Sequence, residues 1–224
     1  VVLLGVGGWQ AWRSWCARHL SLSFVGAPAS GVELSFFPEQ LAFAAPSPPP
    51  ALGGCTLEAP AAAITVGADL VPGQAVVRYQ ANGCGAGYRH VQLGQPVPPI
   101  ELRAPGRVRG RVVEPIGVWS YGWRCAELRP VAGASVVVMG GGEHGVELAA
   151  TRTDAAGEFV AEGFDRSLDG LALRVRAAGH ALEHRAITRS RGDGDDAVVV
   201  AMTRAAALPG TIEAPPGFAV STLR

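Results

Sequence analysis

The chain has 224 residues, with 19 basic and 19 acidic side chains and no net charge at pH 7. Every basic residue is an arginine. This balance excludes a dedicated nucleic-acid surface, which needs clustered positive charge. The length favours two domains of about one hundred residues each, and the 48% of hydrophobic residues is enough to fill two modest cores.

The chain begins with nine residues that are almost all apolar, followed by Trp12 and Trp15 with Arg13 between them. Aromatic and basic residues border hydrophobic segments where these leave a bilayer. As it stands, the apolar run is too short to span a membrane. We therefore expect residues 1–18 to be the tail of a signal anchor or signal peptide. The alternative is a first strand of the next domain.

Residues 19–104 contain short runs in which apolar and polar residues alternate, as in half-buried β-strands. The runs are 19–25, 32–37, 62–66 and 75–79. Turns rich in glycine, proline and small residues separate them. This pattern predicts a divergent β-sandwich domain over 19–104.

In the second half, a polar turn with the sequence Thr-Arg-Thr-Asp-Ala-Ala-Gly-Glu-Phe occupies residues 151–159. Asp154 can accept a hydrogen bond from a backbone N–H two residues on, and Gly157 can adopt positive φ without a Cβ clash. The turn therefore predicts a β-hairpin in which Asp154 and Gly157 are the structural turn residues.

The segments around this hairpin follow a recognisable order. A strand at 110–113 precedes a Pro-Val-Ala-Gly-Ala turn and a β-branched strand within 130–138, and a Leu-x-Val-x-Ala-x-Gly run lies within 171–180. This order resembles the carboxypeptidase regulatory-like domain. The resemblance implies a transthyretin-like, seven-stranded β-sandwich over 105–204, and an accessory module rather than the peptidase itself.

Parts of the chain repeat, which predicts tandem domains in an all-β, Greek-key or transthyretin-like sandwich fold. Residues 78–83 align with 174–179. At a spacing of 100 residues (210 − 110), Gly110, Val112, Pro115 and Gly117 match Gly210, Ile212, Pro215 and Gly217. We therefore expect residues 205–224 to begin a further, truncated repeat. The first domain lacks the Thr-Asp-x-x-Gly-x-Phe hairpin and is a divergent copy.

The four cysteines, Cys16, Cys55, Cys84 and Cys125, form no Cys-x-x-Cys pair and fit no zinc spacing. In an exported protein we expect a disulfide between Cys55 and Cys84, because both fall within the first domain. In a reducing compartment all four are free thiols.

An aromatic cluster interrupts the second domain, where Trp119, Tyr121 and Trp123 alternate with small residues. Exposed rings of this kind form platforms for a sugar ring or a partner protein. The alternative is that they cap the open end of the sandwich or pack on a neighbouring domain, since large aromatic side chains are usually buried.

No motif in the chain specifies a catalytic, cofactor or metal site. His180, Glu183 and His184 spell an inverted zinc-peptidase motif, but that site needs a helix. In a strand the two histidines are too far apart to share an ion, at about 3.3 Å per residue. The Arg-Gly-Asp at 191–193 and the acidic run at 193–196 are read as a turn.

These observations predict a non-catalytic, extracytoplasmic structural or binding module, in the periplasm or at the cell surface. Its expected partners are neighbouring repeats and a protein or a glycan, with no nucleic acid and no cofactor. Contact with the membrane is expected only through the N-terminal anchor. A carbohydrate-binding module that uses Trp119, Tyr121 and Trp123, or the accessory region of a larger enzyme, are the alternatives.

Overall fold

A computed structural model describes most of the chain between residues 19 and 205. The described residues are 19–26, 31–38, 51, 53–58, 61–65, 74–92, 94–116, 127–141, 145–187 and 197–205. Within these ranges all regular structure is β-strand, and no helix is long and apolar enough to cross a membrane. The predicted N-terminal anchor and the truncated repeat lie outside the described residues.

In the part of the chain that the structure describes, seven strands build the first half of the molecule. They are β1 (His19–Val25), β2 (Val32–Pro38), β3 (Gly53–Leu57), β4 (Ala61–Thr65), β5 (Gln74–Gln80), β6 (Gly87–Gln92) and β7 (Ile100–Glu101). One sheet has the order β4-β1-β7, and the other has the order β3-β2-β5-β6. In the first sheet β1 runs antiparallel to β4 and parallel to β7.

Among the described residues of the second half there are eight strands. They are β8 (Gly106–Ile116), β9 (Glu127–Pro130), β10 (Ser135–Gly140), β11 (Val146–Arg152), β12 (Glu158–Phe164), β13 (Ala172–Arg176), β14 (Glu183–Ala186) and β15 (Ala197–Ala201). One sheet has the order β12-β8-β15 and the other β11-β10-β13-β14, and β9 pairs with the end of β8. Again the first strand, β8, runs antiparallel to β12 and parallel to β15.

The two halves therefore share one topology, with β9 as an addition to the second. The β5–β6 and β13–β14 hairpins match residue by residue: Arg78 faces Tyr88 and Arg174 faces His184, and each pair lies 96 positions from its counterpart (174 − 78). The fold class predicted from the sequence, all-β with tandem β-sandwiches, is confirmed. We call the two halves the first and the second module.

Buried apolar residues alternate with exposed residues along the strands, and the buried ones form the hydrophobic core of each module. Along β12, Phe159 and Ala161 are buried while Val160 and Glu162 are exposed, because successive side chains point to opposite faces of a sheet. The core of the first module includes Leu20, Leu22, Phe24, Val32, Leu34, Val77 and Tyr79. The core of the second module includes Val112, Val136, Val138, Phe159, Phe164, Leu173 and Met202.

The two cores are not separate at their boundary. Val76 on β5 and Ala86 before β6 belong to the first module by sequence but are buried in the core of the second. Phe37 and Tyr88 pack against that same core. The outer face of the β2-β5-β6 sheet thus forms part of the contact between the modules.

Candidate functional site

The turn at 151–159 joins β11 to β12, and Asp154 and Gly157 hold it in shape. One Asp154 carboxylate oxygen accepts hydrogen bonds from the N–H groups of Ala156, at 2.9 Å, and Glu158, at 2.8 Å. Gly157 has φ +74°, and a Cβ there would lie 2.5 Å from the Val112 carbonyl oxygen. Glycine is therefore required at 157 by both its backbone conformation and its surroundings.

Thr153, inside the same turn, ties the hairpin to the neighbouring loop. Its buried hydroxyl donates to the Val131 carbonyl at 2.7 Å and accepts from the Ala134 N–H at 2.8 Å. Both bonds satisfy backbone groups of the turn that leads into β10. The Thr-Asp-x-x-Gly-x-Phe motif thus stabilises the β11–β12 turn and joins it to the turn that precedes β10.

The predicted Cys55–Cys84 disulfide is not formed in the structure. Cys55 lies on the edge strand β3, opposite Leu34 of β2. Cys84 is buried in the turn after β5, whereas Cys55 is exposed. The neighbours of Cys55 still exclude some water from its thiol, and this desolvation raises the pKa of Cys55.

The aromatic platform of Trp119, Tyr121 and Trp123 lies outside the described residues, between the paired ends Ile116 and Glu127. Its exposure therefore stays a prediction. Among the described side chains, no three His, Cys, Asp or Glu residues come together in a way that suits a metal ion.

His180 and His184 are part of an extended hairpin rather than a helix. His184 lies in β14, and His180 precedes that strand in the turn from β13. The His180 ring approaches Glu114 at 3.6 Å, and Arg204 donates to the other Glu114 carboxylate oxygen at 2.5 Å. That hydrogen bond lowers the pKa of the Glu114 carboxyl, against the effect of burial.

The two modules contact each other at a junction formed by backbone and side-chain groups. Ala86 forms a parallel β-bridge with Phe164. The Ala86 N–H donates to the Gly163 carbonyl at 2.7 Å, and the Asp165 N–H donates to the Ala86 carbonyl at 2.8 Å. A register shift in β12 between Glu162 and Phe164 leaves Gly163 unpaired with β8, as in a β-bulge, so its carbonyl is available to the first module.

Two glycines allow the close approach at this junction. A Cβ on Gly85 would lie 2.5 Å from the backbone carbon of Phe164. A Cβ on Gly140, at the end of β10, would overlap the Tyr88 ring. Both contacts are shorter than any real Cβ contact, so each position admits glycine alone without a shift of the neighbouring module.

Two side chains of the first module complete the junction by donating to backbone carbonyls of the second. Arg78 Nε donates to Glu147 at 2.9 Å, and the Tyr88 hydroxyl donates to Asp169 at 2.7 Å. Burial raises the pKa of Tyr88, so the phenol stays protonated as the donor. Burial also lowers the pKa of Arg78, but an arginine remains charged at neutral pH.

A crevice of about 630 Å³ opens beside this junction. Arg89, His90 and Arg103 line it from the first module, and Asp165 and Asp169 line it from the second. Arg103 also pairs with Glu101 at 2.6 Å. Walls of mixed charge next to tyrosine rings suit a polar ligand with both donors and acceptors. Sequence analysis missed both the crevice and the junction, since Gly85 and Ala86 are typical of an ordinary turn.

The fold and this junction define the class of protein: a tandem β-sandwich whose two modules are joined by backbone and side-chain hydrogen bonds. No protein-family model matches the chain. No curated protein matches it either.

Among solved structures, the chain is similar to a streptococcal ancillary pilin, with 16% identity and a TM-score of 0.33 over 84% of this chain and 62% of that chain. It is similar to the TIE protein of Bacillus anthracis, with 12% identity and a TM-score of 0.25 over 83% of this chain and 33% of that chain. It is also similar to a double mutant of the shaft pilin SpaA from Lactobacillus rhamnosus GG, with 10% identity and a TM-score of 0.29 over 86% of this chain and 99% of that chain. The chain thus spans less than two thirds of the first two proteins. With TM-scores this low, no function is transferred from these neighbours.

Proposed function

We propose that this protein is a non-catalytic structural module in which two transthyretin-like β-sandwiches, of the carboxypeptidase regulatory-like kind, are held as one stiff unit. The observation that carries the proposal is the backbone bridge between Ala86 and Phe164. A flexible pair of domains needs only a linker, whereas this pair exchanges two backbone hydrogen bonds and shares a hydrophobic core.

The details of the junction support stiffness rather than transient contact. Gly85 and Gly140 fit against the opposite module with no room for a side chain. Arg78 and Tyr88 bond to backbone carbonyls, which a neighbouring strand holds in place. A spacer that displays binding surfaces at a fixed distance requires such a joint.

Calorimetry tests the proposal. The chain should unfold in one cooperative transition, because the core of the second module includes Val76 and Ala86 of the first. The Arg78→Ala variant, which loses a charged hydrogen bond worth about 1.5–3 kcal/mol, should split or broaden that transition. Arg111→Ala is the matched control, since Arg111 Nε also donates to a carbonyl, that of Ala156, but within the second module.

Small-angle scattering of the same two variants gives the second measurement. Wild type and Arg111→Ala should scatter as a rigid particle, and Arg78→Ala should show a broader range of maximum dimensions. Two independent transitions in the wild type, or flexible scattering from it, would show that the modules are merely tethered and would refute the proposal.

We also propose that the module works outside the cytoplasmic membrane, directed there by a signal anchor or signal peptide whose tail is residues 1–18. The apolar start and its aromatic border support this. Fractionation of the source cells, followed by protease treatment of intact cells, tests the location. Recovery of the protein in the cytoplasm would count against it.

A glycan is the second candidate partner, and the crevice at the junction is the observation that favours it. Its arginine, aspartate and tyrosine lining offers both donors and acceptors. A glycan array probed with the whole chain tests this candidate. Loss of binding in Arg89→Ala would place the glycan in the crevice, loss in Trp119→Ala would place it on the aromatic platform, and no binding would dismiss it.

A further inference from the structure

The crevice beside the junction contains two polar side chains that are almost completely buried. Tyr79 of the first module and Asp165 of the second are each 3% exposed, and both line the crevice. Among the described residues, the Tyr79 hydroxyl has no hydrogen-bond partner. A buried polar group without a partner costs free energy, so water or a ligand within the crevice must supply one.

A glycine opposite Tyr79 fixes the place of this hydroxyl. Tyr79 on β5 faces Gly87 on β6, and a Cβ on Gly87 would overlap the Tyr79 ring and its hydroxyl. The ring therefore passes over Gly87 and ends at the crevice. Burial, aided by the Asp165 carboxylate, raises the pKa of Tyr79 to about 12. The hydroxyl is thus protonated at neutral pH and available as a donor.

Asp165 offers the complementary acceptor. Its Oδ1 accepts hydrogen bonds from the Ser167 N–H at 2.8 Å and from the Ser167 hydroxyl at 2.6 Å, and these bonds orient the carboxylate. Its Oδ2 makes no hydrogen bond within the described part of the chain. A ligand hydroxyl group can accept from the Tyr79 phenol and donate to the Asp165 carboxylate at the same time.

A cation lies at the same opening. Arg89 follows Gly87 by two residues on β6, so its side chain lies on the same face of the sheet as the Tyr79 ring. Arg89 lines the crevice and takes part in no ion pair or hydrogen bond with another described residue. Arg103, which also lines the crevice, is already paired with Glu101 at 2.6 Å. Arg89 is therefore the position at which a ligand carboxylate fits best.

We propose that the crevice binds a sugar acid, with its carboxylate on Arg89 and a hydroxyl group between Tyr79 and Asp165. The volume of about 630 Å³ suits a ligand of this size. A neutral sugar leaves Arg89 without an anion, and a simple carboxylate leaves the two buried oxygens without a bridge. The inference rests on the proposed function, in which a glycan is the second candidate partner, and it names the chemistry of that glycan.

Titration calorimetry of the whole chain with glucuronate, glucose and acetate tests the inference. Glucuronate should bind at least about tenfold more tightly than glucose or acetate, because each of those two compounds lacks one of the required groups. Arg89→Gln removes the cation and should weaken glucuronate binding about tenfold or more. Tyr79→Phe keeps the ring over Gly87 and removes one neutral donor, so it should weaken binding about threefold or more.

Arg185→Gln is the matched control. Arg185 occupies in β14 the position that Arg89 occupies in β6, 96 residues further along the chain (185 − 89). Arg185 is not among the residues that line this crevice. The Arg185→Gln variant should therefore bind glucuronate as tightly as wild type does.

Unchanged glucuronate binding in Arg89→Gln overturns the inference. Glucose that binds as tightly as glucuronate also overturns it, but keeps a neutral glycan as the candidate partner, whereas acetate that binds as tightly shows that no sugar is recognised. Absence of glucuronate binding overturns it as well. All of these results leave the stiff junction intact, since thermal unfolding of the unliganded chain reports the junction separately.

Discussion

Arg78 and Arg174 occupy equivalent positions in the two modules, and both reach Glu147. Arg78 donates from the first module to the Glu147 backbone carbonyl at 2.9 Å, whereas Arg174 lies 3.8 Å from the Glu147 carboxylate within the second module. One repeated residue therefore serves the junction in one module and a local ion pair in the other.

This difference predicts that Glu147→Ala and Arg78→Ala have unequal effects on the stability of the junction. Glu147→Ala keeps the carbonyl that Arg78 uses and removes only a half-exposed ion pair, which is worth about 1 kcal/mol or less. We expect it to lower stability slightly and to leave a single calorimetric transition. A Glu147→Ala variant as disruptive as Arg78→Ala would show that the carboxylate, and not the carbonyl, holds the junction.

The hydroxyl of Thr153 should contribute strongly to the stability of the second module. Thr153→Val leaves the buried Ala134 N–H and Val131 carbonyl without their partner, at a cost of about 1–3 kcal/mol. Urea unfolding measures the difference. Thr151→Val, in the adjacent strand β11, removes no hydrogen bond that these two groups use, and it should be nearly neutral.

A comparison of Gly133 with Gly157 distinguishes two reasons for a glycine, the backbone strain of a positive φ and the steric overlap of a Cβ with its neighbours. Gly133 has φ +70° and open space around its Cβ position, so Gly133→Ala should cost only the conformational penalty, about 1 kcal/mol. Gly157→Ala adds an overlap with the Val112 carbonyl, and we expect a cost several times larger. Equal thermal shifts in the two variants would contradict this account.

Tyr79 should make the first module sensitive to alkali. Burial, aided by the nearby Asp165 carboxylate, raises the pKa of Tyr79 to about 12, whereas an unfolded tyrosine titrates near 10. The unfolded chain loses its proton first, so the stability from this group is complete below pH 10 and is lost as pH rises towards 12. Tyr79→Phe should remove this loss from unfolding curves measured between pH 9 and 12, while Tyr88→Phe should retain most of it.

Glu114 should make the far end of the second module sensitive to acid. The Arg204 hydrogen bond lowers the pKa of its carboxyl below 4.5, so its contribution is present above that pH and is lost as pH falls through the lower, folded value. Glu114→Gln should therefore be less stable than wild type at pH 7, with the gap narrowing as the pH falls below 4.5. A gap that is constant with pH would show that the carboxylate charge is not involved.

Alternation was enough to predict many strands, because each has one face on a core. The predicted runs at 19–25, 32–37 and 75–79 match β1, β2 and β5 closely. Strand β3 was missed because its Gly-Gly-Cys-Thr-Leu sequence shows no alternation, and all but Leu57 are exposed. Pairing with β2, rather than its own side chains, makes it a strand.

The junction was beyond sequence reasoning for a related reason. Gly85 and Ala86 look like ordinary turn residues, and their smallness has meaning only beside Phe164, which lies far away in the chain. The alignment of 78–83 with 174–179 was visible in the sequence, and the structure gives it a shared hairpin. What the sequence did not reveal is that one copy is covered by a neighbouring module while Leu182 in the other is exposed.

The parallel pairing of first and last strands, β1 with β7 and β8 with β15, has a mechanical consequence. The chain enters each module at one end of this pair and leaves it at the other, so tension along the chain slides the two strands past each other. Sliding loads all the hydrogen bonds between them at once, whereas peeling breaks them one after another. Under a pull along the chain, the five residue pairs that join β8 to β15 and the two that join β1 to β7 would therefore share the load.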